Sequence, residues 1–111
     1  MTTPPDLLDT LRQKVRAPIE RHADEILDAF GDDNEGLAAF QLARADLDAL
    51  IARLEHGQLR NLAALLESHR EDLDAGIRDM SDSLRHARSL TRSAELFASV
   101  VGVLARIVAL A

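Results

Sequence analysis

Cysteine, tryptophan and tyrosine are absent from this chain, and phenylalanine occurs three times. Without cysteine there are no disulfides, thiolate nucleophiles or cysteine-ligated zinc, and no redox compartment can be read. Without the larger aromatics a core must be built from Leu, Ile, Val and Ala, the usual filling between helices. The platforms on which single-stranded nucleic acids stack are missing too. Lysine is represented by Lys14 alone; the other basic residues are arginine, and the thirteen of them face nineteen Asp and Glu. The resulting net charge of -6 opposes general affinity for polyanions, so nucleic acid is not an expected partner. The N-terminal MTTPPDLLDTLRQK has no cationic region leading into an apolar run, so no cleaved signal peptide is read there and a cytoplasmic location is the default expectation.

What is present is hydrophobic: 47% of the residues, concentrated toward the end of the chain. Ala94 to Ala111 reads AELFASVVGVLARIVALA, with Glu95 and Arg106 as its only charges. On a helix these two fall about 20° apart, with Ser99 and Gly102 beside them. Leu96, Phe97, Val100, Val101, Val103, Leu104, Ile107, Val108 and Leu110 occupy roughly half the circumference, and alanines fill the arc next to Gly102. Such a helix has a thin polar seam and must be covered by other helices, another chain or a lipid surface. Burial inside one small bundle leaves it short of neighbours, so a homo-oligomer or a helical partner is expected. Leu96, Phe97, Val100, Val101, Leu104, Ile107 and Val108 are the expected contact residues. Aspartate at Leu104 and Val108 is expected to dissociate the assembly or release a membrane.

Further elements follow from spacing. Leu8, Leu11, Val15, Ile19, Ala23, Ile26 and Phe30 recur at three and four residues, which predicts a helix over 4–30, kinked by Pro18 and stopped at Gly31. Asp32 with Glu35 has the form of a capping box for a second helix, 34–55, which Gly57 would end in a left-handed cap. From residue 58 a near-heptad seam runs through Leu59, Leu62, Leu66, His69, Leu73, Ile77, Met80 and Leu84. The window S-L-T-R-S (89–93) is weakly helical. A break there gives helices 58–88 and 92–111; continuity gives one helix of about 54 residues, roughly 80 Å long. The fold class expected is all-α: a single domain, an antiparallel helical bundle of three to four helices, with a kinked first helix, a long C-terminal helix and an oligomeric state above one. The turn at Glu55-His56-Gly57 lacks the W-x-G of the small helical-hairpin secretion substrates, so that resemblance is not carried over.

Chemistry-bearing patterns are thin. His22 precedes Glu25, His69 precedes Asp72, and His86 follows Asp82, each pair on one helix face. The acid-rich chain produces such pairs by chance, and E-x-x-H motifs for a di-iron bundle are absent, so no metal is expected. The acids between Asp24 and Glu35 miss the ligand and glycine spacing of a calcium loop. No G-x-S-x-G and no glycine-rich phosphate loop occurs, so no catalytic residue, cofactor or enzymatic activity is expected. His69, on the apolar seam, is a candidate pH-sensitive residue. Arg78, Arg85, Arg88 and Arg92 share a face ahead of the apolar tail. They are flanking charges of a helical seam in one reading. In the other, Arg85, Arg88 and Arg92 form a basic collar for anionic headgroups beside a membrane-surface or C-terminally anchored helix. Arg44–Asp48 and Arg70–Asp74 are the expected pairs along the helices. The functional expectation is an adaptor or scaffold that acts by self-association or by binding a partner helix, with a membrane-associated accessory protein as the alternative.

Overall fold

The computed structural model describes residues 4–57, 61–86 and 89–110, and among these every regular element is helical. The first stretch comprises α1 (Pro4–Thr10), a π-helical segment (Leu11–Arg16), α2 (Ala17–Arg21) and α3 (Ala23–Phe30). The expected kink is therefore resolved into two features. Pro18 has no amide to donate and its ring crowds the carbonyl one turn back. The turn before it widens, with the Ala17 N–H donating to the Arg12 carbonyl, five residues away. At His22 the backbone leaves helical geometry (φ -106°, ψ 8°), and its N–H is shared between the Pro18 and Ile19 carbonyls.

Gly31 adopts φ +56° and stops α3, since that conformation is strained for a residue with a Cβ. The cap of α4 (Asn34–His56) falls one residue later than the capping-box pattern implies. Asp33, not Asp32, is the N-cap, and its carboxylate accepts from the Gly36 N–H at 3.0 Å. A second correction concerns Gly57, which is extended (φ -89°, ψ 144°) rather than left-handed; its N–H closes the helix on the Arg53 carbonyl. The long segment that follows is two helices, α5 (Leu62–His86) and α6 (Leu90–Leu110), and not one of about 54 residues. Ser89 starts α6: its hydroxyl accepts from the Arg92 N–H at 3.2 Å. The polar window that weakened the helical pattern thus serves as a cap.

α5 and α6 form an antiparallel pair, the most extensive packing in the molecule. The Ser83 and Ser93 hydroxyls meet near the turn at 2.7 Å. Further along, a Cβ on Gly76 would approach Val100 Cγ2 to 3.1 Å. The first stretch runs antiparallel to α4, with Arg12–Glu55, Arg16–Asp48 (3.3 Å) and Arg44–Glu20 (2.6 Å) as successive ion pairs. The arginines of this joint therefore reach across helices rather than along one as the spacing implied: Arg44 pairs with Glu20, and Asp48 with Arg16. Arg70 pairs with Glu67 at 3.7 Å and not with Asp74. α6 packs against α5, α4 and α3, which puts the most apolar helix among the other three segments. All three phenylalanines line up there: Phe30 and Phe40 are 6.2 Å apart between centroids, and Phe40 meets Phe97 edge-on at 5.9 Å.

Candidate interaction face

Covering α6 is the demand the sequence made, and its own chain meets most of it. Phe97, Val100, Val101, Leu104, Ile107 and Val108 are buried within the molecule, and Leu96 is partly buried against the same core. They occupy about 140° of the helix circumference, the arc that α5, α4 and α3 enclose. An acid at Leu104 or Val108 therefore reports on folding before it reports on association. By length and composition α6 is apolar enough to cross a membrane: its most apolar 18-residue window has mean hydropathy 1.8, and 44% of that window is buried inside the molecule.

The opposite arc of α6 is open. Glu95, Ser99, Gly102, Ala105, Arg106 and Ala109 are exposed along it, and Leu110 at its end is 62% exposed. α4 borders this arc. One cleft is lined by Gly36, Ala39 and Phe40 with Thr91, Glu95 and Ala98, and the next by Ala39, Ala43 and Asp46 with Ala98, Gly102 and Ala105, so α4 and α6 advance in the same direction at this joint. Two clefts follow it, of about 240 and 210 Å³, and they share Ala39 and Ala98 as a common wall. The second is lined by Leu42, Ala43, Val101, Gly102 and Ala105, with Asp46 as its one charge. Leu42 is 63% exposed on its rim. Sequence periodicity missed Leu42 because it stands roughly 160° round α4 from Phe40, off the buried stripe. The signal was there all the same: a large apolar side chain on a face otherwise made of alanine and acid.

The other candidate residues are placed as follows. Arg85 lies near the end of α5, 4.0 Å from Asp82, in a polar cleft with Lys14 and Arg78. Arg92 opens α6 and pairs with Glu95 at 3.3 Å, in a different cleft with His86 and Ser89. Arg88 lies outside the described residues. The two described collar arginines thus line separate clefts, each with an acid beside it. His69 is half-buried on α5 between Leu66 and Leu73, which are fully covered. His22 and His86 each place Nδ1 against a carbonyl one turn back, of Pro18 (2.9 Å) and Asp82 (2.8 Å). Among the described residues no three His, Asp or Glu side chains gather in a metal-holding arrangement.

Arg44 joins two helices through several contacts. Its guanidinium forks onto both Glu20 oxygens (3.0 and 2.6 Å), donates to Gln41, and lies 5.6 Å from the centroid of the Phe40 ring. The hydrogen bonds it donates to Glu20 raise its pKa, outweighing the lowering by burial. This network holds α4 to the first stretch and fixes the α4 face that borders α6.

These features define an all-helical chain whose core closes within one copy while an alanine- and glycine-lined face of α4 and α6 stays open. The chain matches no known protein family, no curated protein and no solved structure in comparisons with them.

Proposed function

We propose that this is a non-enzymatic helical protein, an antiparallel bundle forming one domain, that acts by self-association or by binding a partner helix. The observation that carries the reading is the α4–α6 groove, walled by Ala39, Ala43, Ala98, Gly102 and Ala105 and overlooked by the exposed Leu42. Small side chains let another helix approach closely, and a single acid in the groove costs little to desolvate when it stays at the rim. The associating surface is then the outer arc of α6 with α4, while Phe97, Val100, Val101, Leu104, Ile107 and Val108 hold the platform beneath it. A cytoplasmic adaptor or scaffold role follows from this reading.

Light scattering behind size exclusion, in buffer without detergent, tests it. A homogeneous dimer or higher oligomer is the expected result; a monomer over the micromolar range, with no helical partner, overturns it. The mean hydropathy of 1.8 over the most apolar 18-residue window of α6 favours a second reading, a membrane-surface or tail-anchored accessory protein. For that protein, α6 would leave the core or lie with its open arc on lipid, and the material would pellet without detergent or float with anionic vesicles.

A further inference from the structure

Within that reading, on which this inference rests, we propose a specific partner and register: a second copy of the chain, docked by the outer arc of α6 against α6 in antiparallel sense, about a two-fold axis that crosses the outer arc between Ser99 and Gly102. The open arc of α6 is self-complementary. Glu95 and Arg106 stand about 16 Å apart along the helix and about 20° apart around it. Ser99 and Gly102 lie between them, evenly placed about the same midpoint. An antiparallel copy therefore sets Glu95 opposite the partner's Arg106, and Arg106 opposite the partner's Glu95. Ser99 meets the partner's Gly102 at the closest approach. A parallel copy would instead stack Glu95 on Glu95 and Arg106 on Arg106. Two-fold symmetry makes every such contact occur twice.

Two observations within the single chain point the same way. Arg106 has no ion-pair partner among the described residues, whereas Glu95 gives only Oε2 to Arg92 and keeps Oε1 free. Gly102 is the second. A helical glycine costs about 1 kcal/mol relative to alanine. Gly76 has its reason in the close passage of Val100, and Gly36 in the Phe30 ring, but a Cβ on Gly102 would meet nothing within 4 Å. The fold of one copy makes no use of that glycine; a second helix laid across it does. Leu42 lines the same groove as Gly102, beside the proposed axis, so docking also covers a large hydrophobic side chain that one copy leaves exposed.

The test is a charge-swap cycle on the full chain, read by sedimentation or light scattering across a concentration series, with far-UV circular dichroism as the folding control. Glu95→Arg and Arg106→Glu should each raise the dimer dissociation constant about tenfold or more, because each opposes two like charges twice. The double variant should return it to within about threefold of the parent. Gly102→Leu, at an exposed position where an added Cβ meets nothing within 4 Å, should give a folded monomer. A parent that dimerises while both single variants dimerise equally well overturns the register and leaves self-association standing. A monomeric parent overturns both. Association that depends on vesicles containing anionic lipid overturns the proposal in favour of a lipid surface.

Discussion

Arg44 shows how one side chain joins three parts of the molecule. It is bidentate to Glu20, bonded to Gln41, and lies over the ring of Phe40, which in turn abuts Phe97 of α6. Both partners of the ion pair are partly exposed, which limits what it contributes. A double-mutant cycle of Arg44→Ala and Glu20→Ala in urea should return a coupling of about 0.5–1 kcal/mol, and a coupling near zero would mean the fork is not held in solution. Gly36 is the other residue with a sharp expectation. A Cβ there would fall 2.6 Å from Phe30 Cε1 and 2.6 Å from Asp33 Oδ2, so the ring and the cap both have to move. Gly36→Ala should lower stability by about 1–3 kcal/mol despite alanine's better helix propensity, seen as a lower midpoint in urea. A more stable variant would place Phe30 elsewhere. Neither contact was legible in the sequence. Arg44 has Asp48 one turn away on its own helix, and only the antiparallel approach of the first stretch makes Glu20 the better partner.

At the scale of the elements, the first stretch is the most instructive. Leu7, Leu11, Val15, Ile19 and Ala23 are all buried, at strict intervals of four. On a regular α-helix a four-residue stripe drifts about 40° at each step, so these five would turn roughly 160° away from one another. A π-helical segment turns through fewer degrees per residue and keeps the stripe aligned. The hydrophobic interval and Pro18 therefore ask for the same local underwinding. Deleting the exposed Gln13 should convert this segment to ordinary α-helix and cost less than about 2 kcal/mol, whereas deleting the exposed Ala49 from regular α4 rotates half a helix by about 100° and should abolish cooperative unfolding. Thermal melts of the two variants decide it; equal losses would remove the special status of the π segment. In α6 the expectation is of the familiar kind. Leu104→Ala empties a fully buried position between three helical neighbours and should cost about 2–5 kcal/mol, measured by chemical denaturation.

For the whole molecule, the placement of α6 sets the order in which regions open. The helix touches α5, α4 and α3, and its inner arc contributes Phe97, Val100, Leu104 and Ile107 to the core. Native-state hydrogen exchange should find the amides from Phe97 to Val108 among the slowest, exchanging only through global unfolding, and those of α1 faster by roughly a hundredfold or more. Fast exchange in α6 would instead describe a tail that leaves the bundle, the behaviour a membrane-seeking helix needs. A chain that must uncover this arc to reach lipid gives up the burial that holds its other helices together. Association through the outer arc needs no such opening.

Composition and spacing alone determined that the protein is helical, that a helix stops at Gly31, and which side chains form the apolar stripe of each helix; whether the chain after residue 57 breaks into two helices was left to the structure. Those features are written in local periods of three and four, in Gly31 and in the charge-poor tail, and they need no knowledge of neighbours. What covers the tail was a different kind of question. Its answer depends on which helices come alongside, and the sequence carries no local record of that. Tertiary structure turned Leu104 and Val108 inward, moved Arg44 onto Glu20 and left Leu42 and Gly102 facing outward. The physical reason is that a helix fixes angles about its own axis, whereas only packing fixes the direction in which that axis presents them.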